Sequence, residues 1–197
     1  MTNLAKILSM RSLALSIAFL AYGIGSPAQD VFSNNTNIAL EKVIRDFPNR
    51  FHNIRGEVLV QHPKTTEYKS TIQVPGSSAC IITKYSLPDN DSYSWNCHVF
   101  QSREFSQAKN KFREIYDQIE NTIIKVDGEK PFIVSGQYRT PYEERKLTNI
   151  LFELLPASGE MKKMKIDLTI ENVEAEWKVS LNVYDGERKE DESVTSN

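Results

Sequence analysis

The chain has 197 residues, with 24 lysines and arginines against 26 aspartates and glutamates, three histidines and two cysteines. A formal charge of −2 without any run of lysine and arginine excludes the electrostatic footprint of a nucleic-acid binder and gives no basic patch for an anionic membrane.

The N-terminus reads as an export signal. Lys6 and Arg11 form a basic leader, 13–24 is an apolar run, and Ser26-Pro27-Ala28 sets small residues before a cleavage point at Gln29. The run is shorter than the about 20 apolar residues that a membrane span needs. A lipoprotein signal would need a cysteine at the cleavage point, and none precedes Cys80. Cleavage would leave 169 residues (197 less 28) with a net charge of −4 (22 basic against 26 acidic), enough for one domain with a sizeable core.

Helix one is expected to open near the polar cluster 33–37, since Leu40, Val43, Ile44 and Phe47 recur at the spacing of a buried stripe before Pro48. Four strands are expected over 57–61, 68–74, 79–85 and 93–100, separated by short turn sequences that imply an antiparallel meander. Helix two is expected over 102–125, with Phe105, Ala108, Phe112, Ile115, Ile119, Ile123 and Val126 on one side and a stop at Asp127-Gly128. A second strand set is expected over 132–138, 147–155, 163–171 and 177–184. In its third strand Met164, Ile166, Leu168 and Ile170 alternate with polar residues, the pattern of a sheet wet on one face. That hydrated face should carry Lys165, Asp167, Thr169, Lys178, Ser180 and Asn182. The tail 186–197 holds one aliphatic residue and should stay unpacked.

Export would carry Cys80 and Cys97 into an oxidising compartment, where a pair forms a disulfide. Turn chemistry agrees. With Pro88 and Asp89 as the central pair of a turn, facing residue numbers sum to 177, which sets Cys80 opposite Cys97, Ile82 opposite Trp95 and Lys84 opposite Tyr93.

The architecture expected is therefore α+β: two helix-plus-four-strand units, about 37–100 and 102–184, forming antiparallel sheet with both helices on one face. Gly128-Glu129-Lys130-Pro131-Phe132, Gly136-Gln137-Tyr138, Pro141, Glu143-Glu144, Phe152-Glu153-Leu154, Gly159-Glu160-Met161-Lys162-Lys163 and Trp177 resemble a family of small exported bacterial proteins without assigned activity. The doubled layout is similar to tandem β-lactamase-inhibitor-like and PepSY-like periplasmic proteins, a likeness that implies sheets binding or inhibiting partners.

Catalytic and metal motifs do not assemble. His52, His62 and His98 lack ligand spacing, and an EF-hand starting at Asp89 would need glycine at Ser94 and glutamate at Phe100. No nucleophile elbow, phosphate loop or dinucleotide fingerprint occurs, and no cofactor is implied. The segment 138–146 is the leading interface candidate, because Tyr138, Arg139, Tyr142 and Arg145 are residue types enriched at protein contacts. The reading is an exported, non-enzymatic binding module for a protein, peptide or envelope ligand, periplasmic or secreted. Its alternative is a small secreted hydrolase or a carrier of lipophilic ligands, which would need a deep pocket, for instance behind Trp95 and Trp177.

Overall fold

The computed structural model describes residues 35–186, apart from Asp89, Asp127 and Glu129. The expected export leader and all of the expected tail beyond Gly186 lie outside the described residues.

The chain opens with helix α1 (Asn35–Asp46) and a 3-10 turn (Phe47–Asn49), followed by β1 (Arg55–Gln61), β2 (Thr65–Ser70), β3 (Ala79–Tyr85) and β4 (Ser92–Ser102). Helix α2 (Phe105–Ile119) leads to β5 (Ile123–Ile124), β6 (Phe132–Gly136), β7 (Leu147–Leu155), β8 (Met164–Val173) and β9 (Glu176–Asp185). The strands form one sheet in the order β1-β2-β3-β4-β9-β8-β7-β6-β5, antiparallel at every step. The chain thus walks inward from one edge to β4, crosses through α2 to the far edge, and walks back until β9 pairs with β4.

The α+β class and the antiparallel sheet stand, whereas the two helix-plus-four-strand units do not. The second strand set has five members, and the helices do not each cover their own strands: α2 lies over β4, β8 and β9, while α1 packs against α2 and the turn that follows it. The expected long helix ends early. Asn121 adopts φ 61° and Thr122 turns its amide back to the Ile119 carbonyl, so Ile123-Ile124 leaves the helix and pairs with Phe132 and Ile133. Ile123 continues the helical spacing in sequence, but a β-branched pair at a sheet edge gains ladder bonds that a last helical turn cannot offer. The expected strand 68–74 begins at Thr65 instead and stops at Ser70, whose hydroxyl bonds both the amide and the carbonyl of Ile72 and accepts the indole N–H of Trp95 at 3.0 Å.

Burial follows alternation. Ile150, Phe152 and Leu154 of β7, Ile166, Leu168 and Ile170 of β8, and Val179, Leu181 and Val183 of β9 point under the helices. They meet Leu40, Val43 and Ile44 of α1 and Ala108, Phe112, Ile115 and Ile119 of α2 in one core. At Gly136 an added Cβ would stand 2.6 Å from Cδ1 of Phe152, so glycine leaves the room that the ring occupies. The hairpin register predicted from the turn is present in full: Cys80 faces Cys97, Ile82 faces Trp95 and Lys84 faces Tyr93. The two cysteines are joined by a disulfide with Cα atoms 4.0 Å apart.

Candidate functional site

Three central strands, β4, β9 and β8, turn their inner faces to the core and leave an outer face free of helices. Because side chains alternate and the strands are in register, this outer face is laid out in rows that run across the strands. One row is Asn96, Asn182 and Asp167; the next is His98, Ser180 and Thr169. On β7 the rows continue into Leu151 and Asn149.

The six side chains are hydrogen-bonded in three pairs. Asn96 donates its amide N–H to the Asn182 side-chain oxygen. His98 Nδ1 and Ser180 Oγ are joined at 3.1 Å, with the direction of the bond set by the imidazole tautomer. Thr169 Oγ1 donates to Asp167 Oδ2 at 3.1 Å. The other carboxylate oxygen, Oδ1, is buried without a hydrogen bond of full geometry. Burial therefore pushes the Asp167 carboxyl above its ordinary value, and hydrogen bonding from Thr169 and Asn149 only partly opposes it.

The sequence placed Asp167, Thr169, Ser180 and Asn182 on a hydrated face; all four lie on the side away from the core, but Ser180 is buried and the Asp167 Oδ1 is out of solvent, because neighbouring side chains in the rows cover them. Lys165 and Lys178 lie on the same face in the flanking rows, Lys165 beside Tyr184 and Lys178 beside Glu171. Asn96 and His98 completed the rows from β4, and only the strand pairing β4 to β9 brings them in. A signal was present in the alternation outward from Cys97, but the 82- and 86-residue separations of these bonds lie beyond local pattern reading.

The four residues of the loop between β6 and β7 separate. Tyr138 packs on α2, 4.9 Å from the Tyr116 ring and with the Arg113 guanidinium 4.5 Å above its own ring. Burial raises the neighbouring Tyr116 phenol, whose O–H donates to the Gly136 carbonyl at 2.9 Å. Arg139, Tyr142 and Arg145 are exposed, and the Arg145 amide bonds the Tyr142 carbonyl at 3.1 Å. None of the four belongs to the polar rows.

A serine bonded to an imidazole is the start of nucleophilic chemistry, yet the rest of the constellation is not assembled here. Asp167 is two strands from His98, about 9.5 Å at ordinary strand spacing, and so cannot orient the imidazole directly. Ser180 sits in a strand whose backbone pairs on both sides, which leaves no pair of free amides to hold an oxyanion.

A recess of about 90 Å³ lies elsewhere, lined by Arg50, Phe51, Asp91, Tyr93, Lys163 and Asp185 among others. Its wall includes Arg50 and Phe51, both at φ 56°, in a loop fastened by the Asp46 carboxylate to the amides of Asn53 and Ile54. That volume is well below what a lipophilic ligand or a drug-sized substrate occupies. Trp95 is fully buried in the core and Trp177 packs at a tilt against Phe105, ring centroids 4.7 Å apart. Among the described residues no group of three or more histidine, cysteine or acidic side chains could hold a metal ion, and no helix is long and apolar enough to cross a membrane.

No protein-family model, curated protein or solved structure matches this chain.

Proposed function

We propose that the protein is an exported binding module that engages protein, peptide or envelope material through the outer face of β4, β9 and β8. The observation that carries the reading is the pair of polar rows on that face: six hydrogen-bonding side chains held in register by three paired strands above a packed core. Side chains on rigid strands keep their geometry when a ligand arrives, which lowers the ordering cost of binding. The Cys80–Cys97 disulfide is compatible with an oxidising compartment, and the resemblance of 128–184 to small exported proteins points the same way.

Two measurements test the reading. Tagged protein recovered from its native host should begin at Gln29, with both cysteines blocked to alkylation before reduction; an intact Met1 with free thiols would overturn export. Capture of envelope material should be lost with Asn182→Arg and kept with the loop pair Arg139→Glu and Arg145→Glu. The reverse pattern would move the contact surface from the sheet to the loop.

A further inference from the structure

From the same outer face, and resting on the reading just given, we infer that the ligand is a neutral polysaccharide chain in an extended, β-linked form, lying across β4, β9 and β8 along the polar rows. The chemistry of the rows favours a polyol. Asn96, Asn182 and Thr169 are half-buried and each carries both donor and acceptor groups, and His98 keeps its second ring nitrogen beyond the one joined to Ser180; Ser180 itself and the Asp167 Oδ1 are buried and brace these groups from below. Vicinal hydroxyls need this mixture, because each is a donor and an acceptor at once.

Charge narrows the ligand further. The two rows hold no lysine or arginine and a single carboxylate, so neither a phosphate chain nor a strongly basic peptide finds a complementary field. The cations Lys165 and Lys178 stand in the flanking rows, where Lys178 faces Glu171.

Shape sets the length. The rows lie on open sheet and not in the small recess beside Arg50, so a ligand must gain its contacts by extension. Successive strands are ~4.8 Å apart, close to one pyranose unit, so a chain crossing the strands meets the half-buried polar side chains of β4, β9 and β8 at about the spacing of its sugars. Tyr184, on the same face and paired with Ser94 and Lys165, borders the rows with a ring on which a sugar face can rest.

The test titrates the secreted protein with cellohexaose and, separately, with the hexamer of N-acetylglucosamine, following backbone amide resonances. The expected result is a saturable response to at least one sugar, confined to β4, β8 and β9. Asn182→Ala and Thr169→Val should each weaken the apparent Kd by up to about tenfold, the worth of one net hydrogen bond. Circular dichroism of Asn182→Ala and Thr169→Val, unchanged from the native protein, guards against a folding artefact. No response to either sugar at millimolar concentration, or a response mapping elsewhere, overturns the inference. If envelope capture is nevertheless lost with Asn182→Arg, the outer face remains the contact surface and only the glycan assignment fails. If capture survives that variant and neither sugar binds, both readings fail.

Discussion

The two halves of the sheet are held by different means. In β5–β9 the strands share one core with α2, which lies over β8 and β9 and whose Phe112, Ile115 and Ile119 are buried together with Phe132, Phe152 and Leu168. In β1–β4 helix cover runs out: β4 is under α2, but Val58, Leu59 and Val60 of β1 are about half exposed. The first half substitutes local fastenings. A disulfide ties β3 to β4, Trp95 reaches across to Ser70, and Asp46 clamps the turn before β1. A sheet that outgrows its helix layer thus replaces missing burial with covalent and polar ties, and the two mechanisms should fail differently.

Removing packing from the covered half should cost most. Phe112→Ala is expected to lower unfolding free energy by about 3–5 kcal/mol in a denaturant melt, because a buried ring leaves both lost transfer energy and a cavity. A cost under about 1 kcal/mol would break the comparison, since α2 would then be dispensable. Next comes the cross-link. The paired change Cys80→Ala and Cys97→Ala opens a loop with a sequence separation of 17 residues and should cost about 3 kcal/mol in the chain-entropy account. Hydrogen exchange should show that loss concentrated in β1–β3, with β6–β8 protected almost as before. Uniform loss would mean that the halves are one cooperative unit.

Overpacking sharpens the contrast from the other side. Gly136→Ala forces a methyl against the Phe152 ring and should cost about 1–3 kcal/mol. Combining it with Phe152→Leu should recover part of that cost, a coupling that a thermal-melt double-mutant cycle would measure. Independent, additive costs would show that the Phe152 ring is not what confines position 136.

These contrasts were unevenly legible in the sequence. Cys80 opposite Cys97, and the whole hairpin register with it, followed from one turn and two residue numbers, because a hairpin couples near neighbours. The alternation in β8 likewise gave both faces of the sheet correctly. Three features depended on distant contacts and were not legible. Ile123 fits a helical stripe as well as a strand, and only the presence of β6 settles it. The pairing of β9 with β4 decides that the two halves share one sheet, and no local pattern announces a partner so far along the chain. For the same reason His98 read as an isolated histidine and Asn96 carried no signal until that pairing set them beside Ser180 and Asn182. Tyr138 shows the converse, an interface-type residue whose ring the fold uses largely for packing against α2.

The smallest expected effect lies at the seam where the halves meet, on the polar row through Asp167. Its carboxyl is raised by burial in the folded protein, so the fold holds the protonated form more tightly than the unfolded chain does. Stability from that proton is complete below the ordinary carboxylate range and is lost as pH rises through the raised value. At neutral pH the ionised group is therefore a net cost to the fold. Asp167→Asn removes the charge while keeping an oxygen for Thr169, and should raise the melting temperature at neutral pH. That advantage should shrink as pH falls toward the carboxylate range, where the native side chain is protonated as well. Melting curves of both proteins across mildly acidic to neutral pH decide the matter. An asparagine variant less stable at neutral pH would mean that the ionised carboxylate holds the seam together, and that the row across β4, β9 and β8 stabilises the junction of the two halves instead of being kept at a cost to it.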